Sequence, residues 1–531
     1  MQYSKFSLLA KFRYKKYFVL INLPGPKFIS FTSNQVWSIM SHENFSIRHI
    51  LGLKIHDLRT KNNLSFQELS EKSGLSISYL SEIEKGKKYP KGDKMMALAD
   101  TLGVSYDSLV SLKVSKKLTP IIDLLQSDIF KEFPLETFGL DPQKIVELVS
   151  SSPEKITAFI NSITNIARNY EMSGEHFYYA AIRSYQELND NYFPEIEKEA
   201  VKFRKKYKLD EDFIDASSLR GILASAFNTE VDNESLESHK VLRDLRSFSS
   251  QKANKLLLNK GLTSAQEAFL LGRELGFNFL GLENRPFETP PQRGYNFECI
   301  LNNYKASYFS AALILPEKLV VEKVRQMASS EKWDKHTLSG LLKKYNATPE
   351  MLMQRLTNIL PKHFGLKNLF FLRFVGTDNF SSYHLTKELH LSRAHNPHSN
   401  SLNESYCRRW LSIRMIKQLR SSSKINSMHS LNVDAQISQY YGTEDEYLCI
   451  TMAFPNISNA QESISVTIGF YIDDTSKKRI KFIKDPSIRS RIVNTTCERC
   501  AWTECEDRVA PPYIIEKQKK NEDIQNVLNQ L

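Results

Sequence analysis

Residues 65–90, SFQELSEKSGLSISYLSEIEKGKKYP, constrain the fold of this chain more tightly than any other stretch of its sequence. Ser65 and Glu68 have the spacing of a capping box, so the sequence predicts that a helix begins between them. Gly74 can end this helix because glycine adopts the left-handed backbone conformation without steric cost. The next residues, SISYLSEIEKG, predict a second short helix that ends at Gly86. The stretch therefore predicts two helices joined by a tight turn.

The sequence on both sides extends this pair into a compact helical unit over residues 48–113. An earlier helix is predicted in RHILGLKIHDLRTKNN, where apolar residues recur at roughly helical spacing. Two later helices are predicted in KGDKMMALADTLG and SYDSLVSL. This is the helix-turn-helix plan, and the whole stretch resembles the five-helix, Xre-type or lambda-repressor-like DNA-binding domain. A five-helix protein-binding module is the alternative interpretation.

The resemblance implies that the second helix of the pair is a recognition helix and that a homodimer binds two half-sites of a double-stranded DNA operator. Side chains at its start and one turn further on are expected to face the major groove, and the lysines after it to lie at phosphates. Leu80 and Ile83 are expected to turn inward, and Arg59 and Glu84 match a structural ion pair of this family. The predicted DNA-binding residues are Phe66, Gln67, Ser76, Ile77, Ser78, Tyr79, Glu82, Lys85, Lys87 and Lys88.

The length and charge of the chain indicate several domains and a polyanionic partner. With 531 residues the chain is too long for a single hydrophobic core. Its formal net charge is +12, and residues 1–39 contribute six basic side chains and no acidic one. We interpret residues 1–39 as a non-native or disordered basic extension, with Met40 as the natural start; a functional arm is the alternative. No apolar run reaches the roughly 18–20 residues of a membrane span, so no membrane association is expected.

Residues 114–250 are predicted to form a helical linker or dimerisation region. Several stretches have apolar residues at three-to-four-residue spacing, and Pro142 and Pro153 sit near the first turns of their helices. The end of the region is rich in aromatic residues. Core or dimer packing is the favoured interpretation of these aromatic residues, and a ligand-binding cluster is the alternative. They are Phe177, Tyr178, Tyr185, Tyr192 and Phe193.

Residues 251–365 contain FLLGRELGFNF, which has the outline of the H-E-x-x-H helix of zinc peptidases. In that helix two histidines bind one Zn²⁺ and the glutamate between them is the general base. Here Glu274 is present, but Arg273 and Phe277 occupy the histidine positions. The following helices resemble the IrrE-like metallopeptidase-type domain, whose third-ligand position falls on Asn303. Because neither Arg nor Phe binds Zn²⁺, we predict a helical pseudo-metallopeptidase domain that is not an enzyme. A peptidase acting on a partner repressor is the alternative.

Residues 366–531 differ in character from the helical regions before them. Five stretches rich in β-branched and aromatic residues predict at least five strands, and RRWLSIRMIKQLRS predicts a helix after the second of them. The sequence therefore predicts an α+β domain, which can serve as a sensor of a ligand or of redox state. A dimerisation domain is the alternative.

The order of these regions, ending in a cysteine-containing tail, resembles the short-chain fatty acyl transcriptional regulator family. The resemblance implies a cytoplasmic regulator of short-chain fatty acid or acyl-CoA metabolism that responds to an acyl-CoA effector. It also implies an iron–sulfur cluster. The predicted fold class is accordingly multidomain and mainly α.

A group of cysteines near the end of the chain predicts a metal site. Cys497, Cys500 and Cys505 form a C-x2-C-x4-C pattern, and thiolates at this spacing can reach one metal group from a tight turn. Three ligands are one short of a full site. The family resemblance places a fourth, Cys407, shortly before Trp410. An iron–sulfur cluster is the prediction; zinc and reduced free thiols are the alternatives.

The other cysteines, Cys299 and Cys449, lie in apolar surroundings that are typical of buried structural thiols. Six cysteines in a chain of this size, with no convincing signal peptide, fit a reducing compartment better than a disulfide framework.

Overall fold

The structure is a computed structural model of the full chain, and its described parts divide into two compact units. The first unit ends at Gly174 and the second covers Glu175–Leu531. The predicted extension 1–39 and the predicted helices between residues 114 and 173 lie outside the described residues. The structure describes residues 47–48, 50–111, 174–209, 213–292, 295–377, 382–391, 404–421, 430–456, 459 and 461–531.

The first unit contains the predicted helix-turn-helix. Its helices are α1 (50–61), α2 (Phe66–Ser73), α3 (Ile77–Glu84), α4 (Gly92–Leu102) and α5 (Tyr106–Val110). Ser65 and Glu68 form the predicted capping box, and Gly74 ends α2 with a φ of 70°. Gly52 allows α1 to lie against the end of α3, since a Cβ atom there would be 2.4 Å from the carbonyl oxygen of Glu84.

Helix α6 (Gly174–Leu188) leads into the second unit, and α7 (Pro194–Lys206) and α8 (Ala216–Phe227) follow it. The favoured interpretation of the aromatic residues holds for Phe193, which is buried in the core and stacks on Tyr185 with ring centroids 5.2 Å apart. Helix α7 is tied to a later helix by a fully buried ion pair between Glu197 and Arg355. Tyr308 donates a further hydrogen bond of 2.7 Å to Glu197. Because both charges are paired, the buried contact fixes the two helices without leaving an isolated charge.

A four-stranded sheet follows where the sequence had predicted helix up to residue 250. Its strands are β1 (Glu230–Asp232), β2 (Ser247–Ser250), β3 (Lys255–Leu258) and β4 (Glu288–Thr289), in the order β1-β3-β2-β4. Strands β1 and β3 are parallel and the other neighbours are antiparallel. The predictions of helix over 230–250 and of a purely helical IrrE-like region are therefore wrong. Strands of two to four residues are too short to produce a recognisable alternation.

The rest of this region is helical: α9 (Ser264–Phe279), α10 (Phe297–Ile314), α11 (Glu317–Ser329), α12 (Lys335–Tyr345) and α13 (Pro349–Phe364). Two glycines let α9 and α10 approach closely. A Cβ atom on Gly272 would be 2.5 Å from Ser310 Oγ, and one on Gly276 would be 3.0 Å from the Phe309 ring. This close contact brings the degenerate H-E-x-x-H helix against the helix that carries Asn303.

A six-stranded sheet dominates the C-terminal region. Its strands are β5 (Leu369–Thr377), β6 (Tyr383–His390), β7 (Asn432–Tyr440), β8 (Glu446–Pro455), β9 (Glu462–Tyr471) and β10 (Arg489–Val493), in the order β10-β7-β8-β9-β5-β6. All five predicted strands are present. Strand β10 was not predicted, because RSRIV is short and mostly polar, and it pairs with β7 in parallel. Two mixed sheets mean that the description of the whole chain as mainly α is too simple.

Helices complete the C-terminal region. The predicted helix, α14 (Leu411–Ser421), packs on one face of the six-stranded sheet through residues such as Ile413 and Ile416. The other face shares its core with α13. Two further helices are α15 (Asp474–Arg479), between β9 and β10, and α16 (Tyr513–Leu528), after β10. Among the described residues no helix has both the length and the apolar character that crossing a bilayer requires.

Candidate functional site

Helix α3, the predicted recognition helix, presents its first turn to solvent. Ser76, Ile77 and Ser78 are exposed, and the Ser76 hydroxyl caps the helix by accepting from the Tyr79 backbone N–H. Leu80 and Ile83 are fully buried, as predicted. Ile77 is 48% exposed, which is unusual for a large apolar side chain and leaves it available for contact with a thymine methyl group.

Lysines surround the C-terminal half of the recognition helix. Lys88 Nζ lies 2.8 Å from Glu82 Oε2, and both groups remain largely exposed. The Tyr79 ring has Lys88 Nζ at 5.7 Å and Lys94 Nζ at 4.4 Å from its centroid. Lys87 is exposed and Lys85 is half-buried. Lys94 was not predicted as part of this surface because it lies on the following helix, and nothing in its local sequence shows that α4 begins beside Tyr79.

The two predicted contacts on α2 differ in their surroundings. Gln67 is exposed and donates to Glu71 Oε1 at 3.3 Å. Phe66 is half-buried against the core of the unit, and the Arg59 guanidinium carbon lies 4.2 Å from its ring centroid. Gln67 therefore lies on the surface of the unit, whereas Phe66 contributes to its packing.

The predicted ion pair between Arg59 and Glu84 is present. Arg59 Nε donates to Glu84 Oε1 at 2.6 Å, and His56 Nδ1 lies 3.0 Å from Glu84 Oε2. Burial alone would raise the pKa of Glu84, but the hydrogen bonds from His56 and Arg59 outweigh it and lower the pKa. The pair belongs to the fold of the domain, since it joins α1 to the end of α3.

The three degenerate metal-ligand positions of the IrrE-like region meet in space. Arg273 Nη1 donates to Asn303 Oδ1 at 3.3 Å, and the Arg273 guanidinium carbon is 5.8 Å from the centroid of the Phe277 ring. Arg273 also donates to Ser247 Oγ at 3.2 Å and to Thr289 Oγ1. A buried guanidinium thus contacts both of the other degenerate ligand positions. Burial lowers the pKa of Arg273 to about 10, partly opposed by Glu274.

Glu274, the counterpart of the general base in zinc peptidases, is also buried and fully engaged. Its Oε2 accepts from Arg285 Nη2 at 2.5 Å, and its Oε1 accepts from Ser249 Oγ at 3.2 Å. The Arg285 guanidinium stacks on Phe277 with its carbon 4.0 Å from the ring centroid. Among the residues that the structure describes, no group of three or more His, Cys, Asp or Glu side chains is arranged to hold a metal ion.

The four cysteines predicted to form a metal site line one small cavity of about 10 Å³. Cys407 comes just before α14, whereas the other three follow β10, and the bridge between Tyr406 and Thr496 joins the two segments. Burial raises the pKa of the Cys407 thiol to about 12, against backbone hydrogen bonds from Asn494 and Arg409 that favour the thiolate. The cysteines that line the cavity are Cys407, Cys497, Cys500 and Cys505.

The remaining cysteines lie apart from this cavity. Burial raises the pKa of Cys299 to about 11 and that of Cys449 to about 12. The Cys299 thiol donates to Asn284 Oδ1 at 2.8 Å. None of the six cysteines forms a disulfide. Cys299 and Cys449 are both buried, as predicted.

Comparisons with known proteins agree with the two folded regions described above. A helix-turn-helix family model matches residues 55–109, and a model of the IrrE N-terminal-like domain matches residues 225–357. An HTH-type transcriptional regulator of Sinorhizobium fredii, y4dJ, is 35% identical over 65 residues, which are 12% of this chain and 84% of that protein.

A longer match comes from the propionyl-CoA carboxylase regulator of Cereibacter sphaeroides, which is 21% identical over 331 residues, or 58% of this chain. The match spans 64% of that regulator, slightly less than two thirds of its length. A solved structure of a Mycobacterium tuberculosis transcriptional regulator aligns with a TM-score of 0.45 at 13% identity, covering 63% of this chain and 94% of that chain. The chain belongs to the Xre-type helix-turn-helix transcriptional regulators, and it carries an IrrE-like domain.

Proposed function

We propose that this regulator binds its operator as a homodimer and controls genes of short-chain acyl-CoA metabolism. The exposed first turn of α3, held in place by the buried Leu80 and Ile83, is the observation that supports sequence-specific binding. The homodimer follows from the half-site geometry of helix-turn-helix proteins. The metabolic role is supported by the printed name of the Cereibacter sphaeroides relative and by the order of the domains along the chain.

Selection of DNA from a random library by the full chain tests the first part of this proposal. The selected sequences should contain two inverted half-sites whose centres are separated by about 10 base pairs or a multiple of it. A single, unrepeated motif would contradict the homodimer. Sequences with no shared motif would contradict specific recognition by α3.

The effector is proposed to be a short-chain acyl-CoA. Propionyl-CoA, acetyl-CoA and free coenzyme A should be titrated against the complex of the full chain with its selected operator. An acyl-CoA should change the operator affinity, whereas free propionate, which lacks the nucleotide, should not. If propionyl-CoA, acetyl-CoA, free coenzyme A and propionate all had the same effect on operator affinity, the acyl-CoA effector would be contradicted. The proposed DNA-binding function would not be affected by that result.

The IrrE-like domain is proposed to be a non-enzymatic scaffold. Arg273 and Phe277 cannot bind Zn²⁺, and the Glu274 carboxylate is bound by Arg285, so no side chain here can activate a metal-bound water. Elemental analysis tests this proposal, with the Cys500→Ser variant removing any contribution of the cysteine site. A peptidase would retain one zinc per chain in this variant, and its zinc would be lost on Arg273→Ala.

The four cysteines are proposed to hold a metal group, with an iron–sulfur cluster as the first candidate. Four soft thiol donors line one cavity, and both zinc and iron–sulfur clusters take such donors. The four side chains are not arranged as a ligand group in this structure, so metal binding would require them to move toward one another and burial of the Cys407 thiol to be offset. A cluster would supply redox sensitivity, and the cysteines would supply its attachment. Zinc is the second candidate. The cavity has a volume of only about 10 Å³, and a single ion would need less movement of the surrounding loop than a cluster would.

Anaerobic purification of the full chain separates these candidates. A cluster should give brown protein with iron and sulfide that Cys500→Ala removes, and Cys299→Ala is the matched control that keeps both. Colourless protein with one zinc per chain would replace the cluster by zinc. Protein without bound metal would contradict the metal site.

A further inference from the structure

Arg508 binds the backbone of the loop that carries three of the four cysteines. Its Nη1 donates to the carbonyl oxygens of Cys497 at 2.7 Å and Ala510 at 3.2 Å. Its Nη2 donates to the carbonyl oxygens of Cys500 at 2.8 Å and Trp502 at 2.7 Å. One side chain thus gathers four carbonyl groups from residues 497–510 around a single guanidinium.

Only arginine has the donors for this arrangement. Its planar guanidinium carries five N–H groups in a fixed fork, whereas lysine has three donors on one rotating ammonium. Hydrogen bonds from a charged donor are stronger than those between neutral groups. The loop has little regular secondary structure to pair its carbonyl groups, so Arg508 supplies bonds that a helix or strand would otherwise provide.

The fifth N–H of Arg508 points to a missing acceptor. Arg508 lines the cysteine cavity, and within the part of the chain that the structure describes its buried Nε has no hydrogen-bond partner. Buried donors are rarely left unpaired in folded proteins. A thiolate, or an anionic group bound by the thiolates, would be a suitable acceptor for such a donor.

A second set of contacts holds the cysteine loop to the Cys407 segment. Glu404 accepts two hydrogen bonds of 2.7 Å from Arg499 and one of 2.7 Å from Thr496 Oγ1. The carboxylate of Glu498 accepts from the Ser405 backbone N–H at 2.9 and 3.0 Å. These contacts join residues about ninety positions apart in the sequence without any disulfide. The two segments therefore have bonds between them that do not depend on a metal.

We propose that Arg508 is a positioning residue that keeps the Cys497–Cys505 loop folded when the cysteines hold no metal group. Zinc fingers and many other small metal-binding modules are unfolded without their metal. Here the loop keeps its shape through the Arg508 and Glu404 contacts, so the site can lose and regain its metal group without unfolding. This reversibility suits a sensor. The inference rests on the proposed metal-binding function of the cysteines, but the effect on the metal-free loop can be measured separately.

The first test measures thiol accessibility in the metal-free full chain. The variants are Arg508→Gln and Arg508→Lys, with Arg489→Gln as the control, because Arg489 is an exposed arginine on the preceding strand. Alkylation of each cysteine is followed by mass spectrometry, and Cys299, in the IrrE-like region, reports global unfolding. Both Arg508 variants should raise the alkylation rates of Cys497 and Cys500 by about tenfold, since local opening exposes them. Cys299 should react as in the wild type.

Equal alkylation rates in Arg508→Gln, Arg489→Gln and the wild type would overturn the positioning role. A rise at all six cysteines would also overturn it, because Arg508 would then support the whole unit and not this loop.

The second test measures reversibility with Co²⁺, a spectroscopic probe for thiolate sites. Wild-type chain and Arg489→Gln should take up Co²⁺, release it to a chelator and take it up again, whereas Arg508→Gln should lose capacity after the first cycle. Full recovery by Arg508→Gln would overturn the inference. Failure of the wild type to bind Co²⁺, zinc or a cluster would instead remove the proposed metal function, and the alkylation rates would still report whether Arg508 holds the loop.

Discussion

Arg59 Nε lies 2.6 Å from Glu84 Oε1, and this contact joins the first helix of the DNA-binding unit to the last residue of its recognition helix. Both side chains are largely buried, with 11% and 7% of their surfaces exposed. Gly52 lies at the same place and lets the two helix backbones touch. The direction of α3, and therefore the side chains that it can offer to DNA, depends on this contact.

Replacing Glu84 by alanine should destabilise the DNA-binding unit by about 3 kcal/mol, because Arg59 would remain buried without its partner. Urea denaturation of the full chain, followed through a probe on the DNA-binding unit, measures the change. Glu71→Ala, an exposed glutamate on α2, is the matched control and should change stability by less than about 0.5 kcal/mol. Comparable losses in the two variants would mean that the ion pair does not support the unit.

The same contact predicts a dependence on pH. The pKa of Glu84 is lower in the folded state than its ordinary value of 4.5, so the carboxylate stabilises the fold fully above that pH. The contribution is lost as the pH falls from 4.5 toward the lower, folded-state pKa. The stability difference between wild type and Glu84→Gln should therefore shrink below pH 4.5. A difference that stays constant down to pH 3 would contradict this assignment.

Substitutions on α3 and in the residues after it should separate effects on sequence specificity from effects on overall DNA affinity. Ser78→Ala should alter which operator sequence is preferred, because Ser78 lies on the exposed first turn of α3. Lys87→Ala should weaken binding evenly across sequences and reduce the salt slope by about 1, as expected for a phosphate contact. Binding measured at several salt concentrations on the preferred and altered operators distinguishes the two effects.

Lys61→Ala is the control for these variants, because Lys61 is an exposed lysine of the same unit that pairs with Asp57 at the end of α1. A substitution of Glu82 would be harder to interpret as a test of specificity than Ser78→Ala. The Glu82 carboxylate lies 2.8 Å from Lys88 Nζ, so Glu82→Ala would change a side chain predicted to face the bases and also remove the partner of a lysine predicted to face a phosphate. If Ser78→Ala and Lys87→Ala behave alike, the assignment of α3 as the recognition helix is wrong.

The sequence predicted those parts of the sites that lie on long helices. Arg273 and Phe277 are four residues apart on one helix, so their common face follows from the helical repeat alone. Their partners Ser247 and Thr289 lie on strands of four and two residues, where no periodicity indicates how the chain pairs. Cys407 is separated from Cys497 by ninety residues, and only the family resemblance linked them. Arg508 was missed because a single arginine in a loop gives no signal of the carbonyl groups that it will bind.

Two substitutions in the IrrE-like region should show that its buried charges now serve the fold. Arg285→Met should cost about 3–5 kcal/mol, because it leaves the buried Glu274 carboxylate without its charged partner. The double variant Arg285→Met with Glu274→Gln should recover part of this loss, since no buried charge of this pair then remains unpaired. Thermal unfolding of the three proteins measures the effect, and an unstable double variant with a stable Arg285→Met would contradict it.

Restoring the lost ligands should restore zinc binding without restoring peptidase activity. The changes are Arg273→His, Phe277→His and Asn303→Glu, and they are placed in a Cys500→Ser background so that the cysteine site does not contribute. Because Arg273 already contacts the other two positions, the three new side chains should converge, and elemental analysis should find one additional zinc per chain.

Glu274 should remain bound to Arg285 in this variant, so it cannot serve as a general base. Hydrolysis of unfolded protein substrates should therefore stay at background. Hydrolysis would appear only after Arg285→Met is added, provided that the protein still folds. Zinc binding together with activity while Arg285 is present would contradict the role assigned to the Arg285–Glu274 pair, and the absence of zinc would mean that the three positions no longer have the geometry of a metal site.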